Sequence, residues 1–179
     1  MRRIFWFLNK FFMVPLFRFG FAPFFGNPFT GYIMVMKVIG RKTGKTRFTP
    51  VNYAIQKGNV YCISGWRKQS SWFQNLLVNP EIELIMPGGA VYARMEEVAD
   101  VDERLPVIRQ ILKNGGFAGF FEGYNPFTTT DAELTEKVGD LPLLCFRPLG
   151  LGSGPSDAGG WTWIWLTILT VILVILLVR

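Results

Sequence analysis

The chain has 179 residues, room for one domain with a sizeable core and little left for a second. It contains no histidine, which removes Ser-His-Asp and Cys-His catalysis, HExxH zinc chemistry and C2H2 fingers. Its two cysteines form no CxxC pair. The net charge of +6 is divided: residues 1–80 hold 12 Lys or Arg and no acid, while the remainder holds 7 basic and all 13 acidic groups, so +12 faces −6 and the first part is suited to something anionic.

Residues 1–29 form the first segment, and ten of the 17 phenylalanines fall within it. Arg2, Arg3, Lys10 and Arg18 are interspersed with Ile4, Phe5, Phe7, Leu8, Phe11, Phe12 and Val14. At helical spacing this is a basic amphipathic helix with large aromatics, the pattern of an interfacial membrane helix. An ordinary helix packed on the domain's own core is the rival. A signal peptide is disfavoured because Lys10, Pro15 and Arg18 break the apolar run and no small-residue cleavage site follows.

Residues 30–148 read as a small β-rich domain. A strand is predicted over 32–39, a second over 47–56 with Val51, Tyr53 and Ile55 alternating with polar or small residues, and a third over 60–64 after the Lys57-Gly58-Asn59 turn. A helix over 71–79 has Ser70 or Ser71 as N-cap and Pro80 beyond its end. Strands over 81–86 and 90–99 flank a Pro87-Gly88-Gly89 hairpin; a helix over 102–113 ends at Gly115-Gly116, and a short strand covers 141–147. Short strands joined by hairpins, with few helices, predict an α+β fold built on an antiparallel barrel. Cys62 and Cys145 each lie in an apolar run and read as buried, reduced small hydrophobes, which suits a cytosol-facing domain.

The loop between the first two strands, Gly40-Arg41-Lys42-Thr43-Gly44-Lys45-Thr46-Arg47, carries four cations in eight residues. It is one residue short of Walker A spacing, and a strand rather than a helix follows, so nucleotide triphosphate hydrolysis is excluded. Arg41 and Arg47 can grip phosphate or carboxylate bidentately and Lys42 or Lys45 can add a point charge; a solvated basic hairpin fits composition equally well. Nucleic acid is not expected, because the cations do not line a helix.

At the C-terminus a Gly-rich tether over 149–160 precedes 161–179, an apolar run ending in Arg179, with Trp161, Trp163 and Trp165 clustered at its start. The uncharged stretch 158–178 would rise roughly 31 Å as a helix, matching the ~30 Å hydrocarbon layer, so a single-pass transmembrane tail anchor is expected.

Several motifs, taken together, resemble the deazaflavin (coenzyme F-420)-dependent nitroreductase family, which has the split β-barrel flavin-binding fold. They are the 40–47 loop with Thr49-Pro50, Asn52-Tyr53, Ser64-Gly65 followed by Arg67-Lys68, Trp72-Phe73 with Asn75-Leu76, and Asn79-Pro80-Glu81-Ile82-Glu83-Leu84. The similarity runs from about Phe17 to Pro148 and includes Phe24-Phe25-Gly26-Asn27-Pro28; Gly139-Asp140 stands where the family often carries a basic residue.

The resemblance implies an enzyme that transfers a hydride from the reduced coenzyme to a bound acceptor. Arg41, Lys42, Lys45 and Arg47 would hold the coenzyme's phosphate and polyglutamate tail, with Pro50 shaping the strand. Ser64, Gly65 and Lys68 would line the ring's edge, and Trp72, Asn75 and Leu76 would close that part of the pocket. A proton would come from Tyr124, Ser64 or solvent, although Tyr124 also reads as an ordinary residue of the Gly- and aromatic-rich 115–126 stretch, itself a candidate apolar lid. FMN is the alternative cofactor, and no metal is expected. Membrane attachment favours a lipophilic acceptor, a quinone first or a nitro compound, with the catalytic domain on the cytoplasmic side and a homodimer as a possible assembly. The reading from another class is a non-catalytic membrane-bound module for a flavin, haem or lipid.

Overall fold

The computed structural model describes residues 7–18, 20–65, 67–116, 125, 127–153 and 161–178; for 101, 102 and 161–166 it gives the backbone only. Tyr124, most of the 115–126 stretch, most of the tether, and Arg2, Arg3 and Arg179 lie outside the described residues.

Among the described residues, eight strands make one antiparallel sheet: β1 (Gly26–Asn27), β2 (Gly31–Ile39), β3 (Thr46–Asn52), β4 (Ala54–Gln56), β5 (Asn59–Ile63), β6 (Glu81–Met86), β7 (Gly89–Glu97) and β8 (Leu143–Leu151). The spatial order is β1-β2-β6-β7-β8-β5-β4, with β3 also paired to β2. Because β3 runs into β4, the sheet curls until its two ends share one stretch of chain. β3 hydrogen-bonds β2 from Ile33↔Asn52 to Ile39↔Thr46, and β4 then crosses to β5.

The single strand expected over 47–56 is therefore two, broken at Tyr53. Its N–H still donates to Tyr32 O (3.1 Å), and its carbonyl accepts from Asn114 Nδ2 (2.9 Å), so both backbone groups are satisfied without a ladder. Asn114 also accepts from Tyr32 N–H through its own carbonyl (2.8 Å). The following hairpin turns through Lys57 and Gly58, at φ 49° and 77°, the paired left-handed conformation of a two-residue turn.

Alternation along the strands sorts side chains to two faces. Met34, Met36 and Val38 of β2, Leu84 of β6 and Phe146 of β8 meet Phe73 and Leu76 in the barrel interior. On one outer face, Tyr61 of β5 and Cys145 of β8 pack under α3 (Val101–Lys113) and α4 (Asp131–Val138), through Ile108, Ile111 and Leu134. On the opposite outer face, Val35 of β2 and Ile85 of β6 are covered by Phe17 and Ala22. This curled antiparallel sheet with flanking helices is α+β and fits the split-barrel fold.

The N-terminal segment is packed on the barrel at one end and exposed at the other. From 7 to 18 it is helical, with a π-turn over Asn9–Met13 and α1 over Val14–Arg18. Phe17 is fully buried against the barrel, a burial that stabilises by about 1.5–3 kcal/mol, whereas Phe7, Leu8, Phe11 and Phe12 stay exposed. The backbone turns back at Gly116, at φ 59°, where a Cβ would sit 2.6 Å from Gly31 N and Phe29 O; only glycine permits that approach.

One expectation at the C-terminus needs correction. β8 continues to Leu151, pairing Gly150 with Tyr92 and Leu151 with Val91, so the first three residues of the expected tether belong to the sheet. The final run is helical, α5 (Trp161–Val178), and its side chains are described from 167 onward. Among the described residues, no helix is long and apolar enough to cross a membrane.

Candidate functional site

The basic loop leaves the C-terminal end of β2 and folds on itself. Thr43 and Gly44 N–H both donate to Gly40 O (3.1 and 2.8 Å), and Gly40 N–H donates to Lys45 O (3.0 Å). A Cβ on Gly40 would lie 3.0 Å from Thr43 Oγ1 and 3.2 Å from Lys45 O, so the turn closes tightly over that glycine. Arg41, Lys42, Lys45 and Arg47 are all exposed. Among the described residues, no carboxylate is within ion-pair distance of any of them. Four like charges with no counterion repel one another, and an anion bound among them relieves that repulsion.

α2 (Ser71–Val78) holds this loop. Asn75, buried on α2, accepts from Arg41 twice through one oxygen: Oδ1 receives the backbone N–H (3.2 Å) and Nη1 (2.9 Å). Nη1 also reaches Ser71 O (3.3 Å). Both groups facing that oxygen are donors, which fixes the amide with its Nδ2 turned away from Arg41. Arg47 stands opposite Val38, so it shares the inward face of β3 at the barrel mouth.

The 64–70 loop leads into the N-terminus of the same helix. Ser64 is fully buried; its Oγ donates to Arg67 O (2.8 Å) and pairs with Ser70 Oγ (2.9 Å). The single hydroxyl proton of Ser64 is thus committed to a backbone carbonyl, and the residue closes the loop rather than presenting an acid to a substrate. Arg67 adopts φ 54°, the left-handed region that side chains rarely enter, and its guanidinium pairs with Asp140 at 2.9 Å. Gly65 and Lys68 are exposed, with Lys68 3.8 Å from Glu97 in a solvent-screened pair of little energetic weight.

Of the other expected site residues, Trp72 is half-buried at the edge of the interior core and meets Phe73 edge-on at 6.4 Å. Leu76 does not line a surface: it is fully buried inside the barrel, because it sits on the face of α2 that plugs the sheet. Pro50 pairs with Val35 on the outer face covered by the N-terminal segment, away from Arg47 on the inward face. The fold therefore brings Arg41 and Asn75 into contact, with Arg47 at the same mouth and Trp72 on the same helix, and sets Leu76 and Pro50 apart. Ser70, which completes the buried hydroxyl pair, was legible only as a cap.

The thiols carry no chemistry at this site. Burial raises both the Cys62 and the Cys145 thiol above the ordinary thiol value, so neither is a ready nucleophile.

Comparison with known proteins agrees with this architecture. Among solved structures, the chain is similar to a "putative 5-nitroimidazole antibiotic resistance protein" from Bacteroides thetaiotaomicron, at 12% identity and TM-score 0.50, covering 67% of this chain and 74% of that one. It is also similar to an F420 reductase, at 12% identity and TM-score 0.46, covering 68% and 90%. No curated protein matches. The family model for F420H(2)-dependent quinone reductase matches residues 21–120, which include the basic loop, the 64–70 loop and all of α2. The chain belongs to the F420H(2)-dependent quinone reductase family, and is an oxidoreductase whose coenzyme is the reduced deazaflavin.

Proposed function

We propose that this protein passes a hydride from the reduced deazaflavin to a lipophilic acceptor, a quinone first and nitro compounds as further substrates, at the surface of a bilayer. The observation that carries the reading is the exposed group of Arg41, Lys42, Lys45 and Arg47 with no carboxylate partner among the described residues. Its donor chemistry fits a coenzyme tail of phosphate and carboxylates: the guanidiniums of Arg41 and Arg47 suit bidentate grip, and the two lysines add point charge.

Bound there, the reduced coenzyme supplies the hydride that, with one proton, takes a quinone to its quinol. The protein's share is orientation and exclusion of water. Asn75 holds Arg41, the Ser64–Ser70 pair fixes the loop that offers Gly65 and Lys68 to the ring's edge, and Trp72 walls the pocket beside them. Tyr124 is assigned the proton. The apolar 167–178 part of α5 and the exposed aromatics of the N-terminal helix support work at a bilayer, with the barrel on the cytoplasmic side where the coenzyme is.

Anaerobic mixing of the reduced coenzyme and protein with a menaquinone analogue tests this. Protein-dependent loss of reduced coenzyme that requires the quinone is the expected result. Tight coenzyme binding with no acceptor-dependent oxidation would instead favour a binding module.

A further inference from the structure

The two outer faces of the barrel differ in kind. The face of β2, β3 and β6 carries the N-terminal helix, anchored by Phe17 on Val35 and Ile85. Further out on that helix, Phe7, Leu8, Phe11 and Phe12 have no core to enter and are 43–54% exposed. Phe24 and Phe29, in the turn leading to β2, are 64% and 76% exposed. Cations are set among these rings: Lys10 Nζ is 5.2 Å from the centre of Phe11, and the Arg18 guanidinium 5.5 Å from that of Phe48. The first 80 residues contain no acid.

The described chain that leads toward the other apolar run reaches the same face. Past β8, Gly152 N–H donates to Ala90 O (2.9 Å), and Ser153 Oγ donates to Glu83 Oε1 (2.9 Å). Glu83 is paired with Lys37, and alternation along β6 sets it on the outer side with Ile85. The β8 side of the sheet, opposite β2 in the curled order, is acidic. A cleft of about 190 Å³ there is lined by Glu96, Glu97, Asp100, Glu103 and Arg147; Arg147 pairs with Glu96 (2.6 Å) and Lys68 lies 3.8 Å from Glu97, and the lining stays net negative.

We infer that the outer face of β2, β3 and β6, with the 7–18 helix lying flat on it, is the surface the barrel turns toward an anionic bilayer. This rests on the bilayer reading above and adds an orientation to it. The exposed phenylalanines enter the boundary of headgroups and acyl chains while Lys10 and Arg18 meet lipid phosphates. The acidic cleft on the far side is repelled by the same surface, so only one orientation is favoured. Both apolar ends then enter the membrane from one side of the barrel.

The test uses the full chain with a polarity-sensitive fluorophore on a single introduced thiol, at Phe12→Cys or at Glu97→Cys. Cys62 and Cys145 are buried and escape labelling. Vesicles are phosphatidylcholine with or without phosphatidylglycerol, and unchanged deazaflavin affinity of both labelled proteins controls for folding. On anionic vesicles the probe at position 12 should brighten several-fold, shift blue and be quenched by acyl-chain spin labels, whereas the probe at 97 stays aqueous. Co-flotation with a water-exposed probe at 12, or a lipid-exposed probe at 97, would overturn the orientation alone. Equal responses on neutral and anionic vesicles would overturn its electrostatic part. No flotation with either vesicle would remove the bilayer reading and the orientation with it.

Discussion

Arg41 aims two donors, its backbone N–H and Nη1, at one oxygen of Asn75, at 3.2 and 2.9 Å. The contact joins a solvent-exposed loop to a helix buried on its barrel side, and it spans 34 residues of sequence. Asn75 is thereby a positioning residue: it acts on the coenzyme through Arg41. Asn75→Ala should weaken coenzyme binding by about tenfold, the ~1.5 kcal/mol of a hydrogen bond to a charged group. In an Arg41→Ala background the same change should cost almost nothing. Titration of the four proteins with deazaflavin checks this, and equal losses in both backgrounds would mean that Asn75 touches the coenzyme itself.

Ser64→Ala should leave the pH dependence of turnover intact and lower stability by about 1–3 kcal/mol, because it takes the partner from the buried Ser70 hydroxyl, while the Arg67 carbonyl keeps only its long bond from the Ser70 N–H. Denaturant unfolding and a pH–rate profile separate the two effects. A lost limb in the profile would restore Ser64 as a proton donor.

Most of the barrel was legible because alternation and turn residues act locally. Tyr32 to Ile39, the Lys57-Gly58 turn and the 81–86 strand all sit within a residue or so of expectation. The break at Tyr53 was not, since it depends on Asn114, 61 residues away, taking the Tyr53 carbonyl. α4 was missed although its signal was present: Thr130 and Glu133 form a reciprocal capping box, the S/T-x-x-E pattern that starts a helix. In the site, the basic loop was visible as composition. Its clamp by Asn75 was not, because a buried Asn on an amphipathic helix carries no mark of what it faces. Leu76 and Pro50 were drawn into the site by adjacency in sequence, and the faces of α2 and β3 separate them from it.

Phe17→Ala should destabilise the protein by about 3–5 kcal/mol through the cavity left on Val35 and Ile85, whereas Phe11→Ala should change stability by less than about 0.5 kcal/mol. Thermal unfolding of both variants checks the division of the N-terminal helix. Similar losses would mean that Phe11 is also part of the fold.

Stability should fall at alkaline pH. Burial raises the Cys62 thiol above its ordinary value of 9.0, and burial followed by the Glu103 hydrogen bond raises the Tyr61 phenol. Each group keeps its proton in the fold at a pH where the unfolded chain has lost it, so the unfolded state is favoured as pH climbs above about 9. Cys62→Ala should flatten the decline by up to about 1.4 kcal/mol per pH unit. Urea unfolding between pH 7 and pH 10, numbers set by roughly that window, would show it, and an unchanged slope would contradict it.

The most direct test of the account is a paired titration of the wild-type protein. The intact deazaflavin coenzyme is compared with its ring analogue lacking the phosphate and glutamates, at low and at high salt. If Arg41, Lys42, Lys45 and Arg47 read the tail, the intact coenzyme binds at least about tenfold tighter at low salt, and added salt erodes that advantage as exposed charges are screened. Equal affinities at both salt concentrations would contradict it.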